Sequence, residues 1–239
     1  MKGHKTMKVF FDTEFTGLHK DTTLISIGLV DEYNNHFYAE FNDYDESQVD
    51  DFVEDNIISN LLINSPNYIG EYGLHYHIPK NKCFTEKLSD KFIYAYGNKN
   101  YIRDVLTQWL ITGIDYYKED NIELVSDVCH YDMVLFTDIF GGAFEMPDWI
   151  VPACIDLNQI IMEHENCNIQ QAFDLNREEF LDDLYVDKYL THDVVSKINF
   201  NLEGNLDSVL TNKHNSMWDA RIIKELYDVM YDCPNVELT

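Results

Sequence analysis

The chain has 239 residues, 45% of them hydrophobic and 14% aromatic, a mixture that buries a sizeable core and excludes a chain disordered throughout. Acids outnumber bases 43 to 17, a formal charge of −26, which by the usual rule speaks against a nucleic-acid binder, because a polyanion needs a cationic partner. No window approaches the roughly 18 consecutive apolar residues that would span a bilayer, and the first residues, MKGHKTMK, lack the apolar stretch of a secretory signal, so the expectation is a cytoplasmic protein with no membrane partner.

Taken in chain order, Lys8–Phe15 is β-branched and aromatic and reads as a strand closed by a turn at Thr16-Gly17. Thr22–Val30 is almost continuously apolar, as in a strand buried on both faces, and His36–Phe41 alternates as a third. Residues 31–35 suit a hairpin loop, so these three make an antiparallel meander. Val49, Phe52, Val53, Ile57 and Leu61 recur every three to four residues and predict a helix over 47–63. A second helix is expected over 101–111, a fourth strand over 121–126 and a helix over 131–140 ending at Gly141-Gly142. Residues 149–157 read as an edge strand, interrupted by Pro152. A last helix runs from 216 to 230. A meander followed by strands alternating with helices is an α/β fold with a mixed sheet. With no repeat and no Pro/Gly-rich linker, one domain over 7–232 is expected between short tails at 1–6 and 233–239. The five cysteines are scattered and never spaced as CxxC, which argues against a disulfide framework or a structural zinc site.

Three stretches carry chemistry. In Asp12-Thr13-Glu14-Phe15-Thr16-Gly17-Leu18, the residues i and i+2 of a strand share a face, so Asp12 and Glu14 project together. Two such carboxylates stay ionised side by side if a cation lies between them, and hard oxygen ligands suit Mg²⁺ or Mn²⁺. Alone, the pair is equally compatible with a solvated strand end. In His214-Asn215-Ser216-Met217-Trp218-Asp219, Ser216 is a candidate helix cap, which sets Asp219 in the first helical turn and His214 in the loop before it. A histidine exchanges protons near neutral pH and a carboxylate holds a metal. The alternative is a capping box of Ser216 and Asp219 with His214 exposed. In Ser126-Asp127-Val128-Cys129-His130-Tyr131-Asp132, a strand hands over to a helix, with Asp132 and Asp127 both candidate carboxylates, and Asp127 also a plain turn residue.

In this order and combination, the three stretches resemble the DEDDh exonucleases of the ribonuclease H-like superfamily. Asp12-Thr13-Glu14-Phe15-Thr16-Gly17 fits the first motif, Tyr131-Asp132 the second, and His214 with Asp219-Ala220-Arg221 the third. Phe11–Phe15, Leu24–Gly28, Tyr131-Asp132 and the final helix look closest to the polyadenylate-specific 3′–5′ exoribonucleases of the RNase AS group. The resemblance spans about residues 7 to 231, with departures as insertions near 64–100 and 163–205. It implies a ribonuclease H-like mixed sheet and a two-metal phosphodiesterase. Asp12, Glu14, Asp132 and Asp219 would hold two Mg²⁺ or Mn²⁺ ions, and His214 would be the general base. It also implies single-stranded nucleic acid as partner, RNA favoured over DNA, and pairing into homodimers.

The resemblance implies that the backbone near Thr13, and Glu14 itself, meet the terminal 3′ end, including a ribose 2′-OH on RNA; Phe15 and Leu18 are expected to stack or wedge against terminal bases, with a core position as the alternative for Phe15. Residues 80–103 hold six bases and two acids with five aromatic residues among them. That composition suits a strip along single-stranded backbone, or a solvated helical face with a packed underside. Other readings are a single-stranded DNA exonuclease and, from another class, an acidic binding or decoy protein on a nuclease scaffold.

Overall fold

A computed structural model describes residues 5–64, 81–189, 194–198 and 210–231. Its centre is a seven-stranded mixed sheet in the order β4-β5-β3-β2-β1-β6-β7. β1 (Thr6–Phe15), β2 (Leu24–Asp31) and β3 (His36–Phe41) form the expected antiparallel meander. β6 (Asn121–Ser126) lies parallel to β1, and β7 (Ile150–Asp156) lies parallel to β6 at the edge. That edge is where Pro152 is tolerated, since an outer strand has no ladder partner for the missing N–H. The strand already includes Thr6, which pairs with Asn121, and Lys5 donates its N–H to the Asp120 carboxylate; the sheet therefore begins inside the stretch expected to be a tail.

Helices cover both faces. On one, α4 (Leu157–Glu165), α6 (Arg177–Tyr189) and α7 (Ser216–Tyr231) enclose a core containing Phe10, Tyr38, Tyr94, Leu181 and Leu226. On the other, α2 (Lys99–Tyr117) and α3 (Cys129–Ile139) close over Met7, Val9, Phe11, Leu29 and Phe37. The alternation along β1 divides its side chains between the two cores, Phe10 to the first and Val9 and Phe11 to the second. A short α5 (Ile169–Phe173) follows α4, opened by a reciprocal capping box of Asn168 and Gln171. No helix among the described residues is long and apolar enough to cross a membrane.

Two expectations fail for identifiable reasons. The helix over 47–63 is broken into α1 (Asp51–Asn56), capped by Asp50, and three single 3₁₀ turns at Glu46–Gln48, Ile58–Asn60 and Leu62–Asn64. The backbone N–H groups of Leu62 and Ile63 donate to the carboxylate of Glu40 on β3, which also accepts from the Tyr94 hydroxyl at 2.8 Å. Glu40 is wholly buried, and burial pushes its carboxyl up to about 7. Supplying it with donors takes priority over continuing a helix. The described part of the basic stretch, residues 81–103, is helical only from Lys99 on, and most of its aromatic rings do not form a strip. It folds as the hairpin β4 (Phe84–Ser89) and β5 (Phe92–Gly97), which extends the sheet beyond β3, and then enters α2. Phe84, Phe92, Tyr94 and Tyr96 are buried and present no ring to a nucleic acid. Residues 65–80, 190–193 and 199–205, parts of the two expected insertions, lie outside the described residues.

Candidate functional site

The acidic ends of two neighbouring parallel strands build the site. β1 and β6 are in register from Thr6 with Asn121 to Phe10 with Val125, so the end of β6 at Ser126 lies beside the part of β1 that carries Asp12. α3 begins three residues later and puts Asp132 in its first turn. Asp132 is 3% exposed. Its carboxylate accepts from the Thr13 hydroxyl at 2.6 Å and from the Ser126 hydroxyl. The odd-numbered face of β1 thus holds Asp132 by Thr13, while Asp12 and Glu14 point to the opposite face, toward α7.

α7 reaches that face because β2 has a glycine where the two meet. Gly28 is the cross-strand partner of Asp12, and a Cβ there would stand 2.3 Å from the Ser216 carbonyl oxygen and 2.4 Å from the Met217 backbone. Next to it, Ser26, the partner of Glu14, meets Ser216 hydroxyl to hydroxyl at 2.9 Å. Ser216 is therefore not the cap. That role falls to Asn215, whose side-chain oxygen accepts from Met217 N–H at 3.1 Å and whose amide nitrogen donates to the Asn60 carbonyl at 2.9 Å. The start of α7 is pinned from three sides, and Asp219 is held over the end of β1.

His214 precedes the helix in a left-handed backbone conformation, φ 64°. Its N–H donates to the Asp219 carboxylate at 3.2 Å, and its ring meets the edge of Phe52 at 5.7 Å between centroids. One ligand atom each from Glu14, His214 and Asp219 lie within 4.8 Å of one another, close enough to hold one metal ion. The imidazole expected only as a base therefore also stands within reach of a cation.

Asp12, Glu14, Asp132 and Asp219 act on one another electrostatically. Burial raises the Asp12 carboxyl well above its usual value, and Asp132, Asp219, Glu14 and Asp127 raise it further. Glu14 is raised by burial, then by Asp219 and Asp132. Burial lifts Asp132 to about 6 against the pull of the Ser126 and Thr13 hydroxyls. Burial lifts Asp219 to about 7, with Glu178 adding to the rise and the His214 N–H opposing it. His214 is lowered, mainly by burial and then by Lys213. All four carboxyls are raised chiefly by burial, and the charges of Asp132 and Asp219 add to the rise at Asp12 and Glu14. A divalent cation suits such a cluster, since the donors are hard oxygens with one imidazole. Of the five residues singled out for catalysis, Glu14, His214 and Asp219 come within reach of one ion, while Asp12 and Asp132 are linked to them electrostatically.

The substrate candidates divide. Thr13 is 4% exposed and its hydroxyl is occupied by Asp132, so its side chain supports the site from beneath. Phe15 is half-buried and stacks on Tyr131 at 5.9 Å, joining the core on the α3 side. Leu18, 73% exposed, stands free on the loop that follows β1. Asp127 is not an open ligand: Arg177 clamps it with two nitrogens at 2.9 and 2.8 Å, and Asn158 donates to it at 3.2 Å.

Arg177 and Glu178 are functional neighbours that the sequence did not reveal. Both open α6, inside one of the expected insertions. Glu178 accepts from the Trp218 indole N–H at 2.6 Å and acts electrostatically on both Asp219 and His214. The only local signal is a helix start with charged residues, which reads as an ordinary first turn. No family model matches the chain, and no curated protein is significantly similar to it.

Proposed function

We propose that the protein is a metal-dependent 3′–5′ exonuclease of the DEDDh kind. On this reading it hydrolyses single-stranded RNA and releases nucleoside 5′-monophosphates. The observation that carries the proposal is the meeting of Asp12, Glu14, Asp132 and Asp219 around the end of β1 with His214 beside them. The strand order β3-β2-β1-β6-β7, a meander continued by two parallel strands, supports a ribonuclease H-like fold. The polarity and the preference for ribose rest on the resemblance in the three motifs.

The four carboxylates would hold two Mg²⁺ or Mn²⁺ ions, which supply Lewis acidity toward the attacking water and the leaving 3′ oxygen. His214, held neutral by its surroundings, takes a proton from that water as it attacks phosphorus. Its place in the loop before α7 lets it approach once substrate is bound. Thr13 and Ser126 fix the Asp132 carboxylate. Leu18 is placed to wedge against the terminal base, with Phe15 and Tyr131 as the wall behind it.

The test is a set of RNA and DNA oligomers of one sequence, labelled at the 5′ or the 3′ end, incubated with Mg²⁺, Mn²⁺ or EDTA. We expect a ladder growing from the 3′ end of RNA, absent in EDTA. We expect it to be absent also with Asp12→Ala, whose circular dichroism and cooperative melt remain those of a folded protein. Cleavage that persists in EDTA, or a ladder from the 5′ end, would overturn the proposal; faster turnover of the DNA strand would move the substrate to DNA.

A further inference from the structure

Cys129 and Cys154 are 25 residues apart in sequence, yet their sulfurs lie 2.8 Å from one another. Both are free thiols and both are half-buried. Cys129 is the first residue of α3, and Cys154 lies on β7, where it pairs with Leu124 of β6. The Ile155 carbonyl accepts from the Cys129 thiol at 3.1 Å, holding that sulfur against the edge strand. Ordinary contact between two sulfurs is about 3.6 Å and a disulfide bond about 2.05 Å. The two sulfurs are therefore in direct contact, and the further approach a disulfide needs is under about 1 Å. Neither thiol has a part in the hydrolysis proposed above.

We propose that Cys129 and Cys154 are an oxidative modification site, in which a peroxide joins them into an intramolecular disulfide that ties the start of α3 to β7. One thiol attacks hydrogen peroxide, breaking the O–O bond to give a sulfenic acid and water. The second thiol attacks that sulfur, forming the S–S bond and releasing a second water. Two thiols lose two electrons and two protons in total, and one peroxide is reduced to two waters. The contact with Cys129, together with burial, pushes the Cys154 thiol up. The bond closes a loop of about 25 residues around α3 and the segment leading to β7, so its main effect is to stabilise that corner of the sheet. Because the sulfurs move so little, Ser126 and Asp132 keep their places. The proposal is independent of the nuclease reading.

The test treats the reduced full-length protein with hydrogen peroxide near stoichiometric concentration, followed by thiol titration in denaturant, intact mass, peptide mapping and thermal melting. We expect the titratable thiols to fall from the five in the sequence to three, and the mass to drop by two hydrogens. A peptide pair joined through Cys129 and Cys154 should appear, and Tm should rise by roughly 5–10 °C, reversibly with dithiothreitol. Cys154→Ser and, separately, Cys129→Ser should abolish the joined peptides and the rise in Tm. Five thiols remaining after treatment, sulfinic acid at either residue without the joined peptides, or an unchanged response in the two variants would overturn it. The joined peptides are read directly from the wild-type chain, so the result stands even if a variant folds poorly.

Discussion

Buried carboxyls whose pKa is raised destabilise the fold when they ionise, and this gives the site a signature that can be read without any substrate. Asp132 at about 6 and Asp219 at about 7 start from an ordinary value of 3.8. Between about pH 4 and pH 7 the folded chain therefore binds more protons than the unfolded one, and stability falls as pH rises through that window. Below it these two groups are protonated in both states and above it they are ionised in both, so their own contribution to the slope vanishes at each end. We expect the metal-free protein to lose on the order of 2–4 kcal/mol between pH 5 and pH 7.5 from this cluster, measured by urea denaturation in EDTA. Millimolar Mn²⁺ should restore most of it at pH 7.5, because an ion that binds only the folded state stabilises by mass action. Buried Glu40, also at about 7, adds to the same slope, so the site's share is the part lost in Asp219→Asn, and an unchanged slope in that variant would contradict the reading of Asp219 as a shifted acid. His214 bears on the same centre in a different way. Its lowered pKa keeps it neutral, as a base must be, yet its ring stands near enough to Glu14 and Asp219 to ligate. His214→Ala separates the roles: as a base, its loss lowers kcat by roughly 10²–10⁴ while Mn²⁺ affinity by calorimetry stays within about threefold of wild type. A loss of Mn²⁺ affinity in proportion to kcat would make His214 a ligand instead.

At the scale of elements, the position of α7 decides whether the third motif reaches the first. That position rests on Gly28, over which the Ser216 carbonyl passes with no room for a Cβ. The contact is with backbone at the helix start, so the helix itself must move. We expect Gly28→Ala to cost about 1–3 kcal/mol of stability and to lower activity beyond what the stability loss accounts for, because the displaced Asp219 no longer meets Asp12. Chemical denaturation at saturating Mn²⁺, set beside activity well below the melting temperature, separates the two effects. The elements legible in the sequence were those fixed by local pattern: the meander from its apolar runs and turn residues, β6, β7 as an edge strand from Pro152, and α7 from its periodicity. The five catalytic candidates were legible because their spacing follows from strand alternation and from helix starts. The breaks in 47–63 were not, because the group that ends the helix is Glu40, twenty-two residues upstream of Leu62. The hairpin of β4 and β5 was obscured because its Lys residues, read by composition, masked the buried side formed by Phe84, Phe92, Tyr94 and Tyr96. Arg177 and Glu178 enter the site only through the packing of α6 on α7, a contact between segments some 40 residues apart that no local pattern announces.

For the whole molecule, a charge of −26 sets the terms on which another polyanion can approach. With the basic hairpin at the far edge of the sheet and its rings buried, the described residues offer no cationic track from that edge to the end of β1. On the proposed function, the attraction for phosphate would come from ions held at the site, and only for as long as they are bound. Long-range repulsion between an acidic protein and an acidic strand is screened within about 10 Å at 0.1 M salt, so moderate salt does not prevent encounter, although it weakens each phosphate contact. The expected behaviour is a short footprint at a single-stranded end and little affinity for duplex. We expect the inactive His214→Ala variant to bind a fluorescent single-stranded RNA in Mg²⁺ and to weaken at least about tenfold when EDTA replaces it, with affinity in Mg²⁺ falling as salt is raised. Fluorescence anisotropy on one labelled oligomer, with and without a complementary strand, reads all three dependences. Equal affinity with and without Mg²⁺ would mean that the protein meets nucleic acid through a surface other than the acidic centre, and the site at the end of β1 would then need a different substrate.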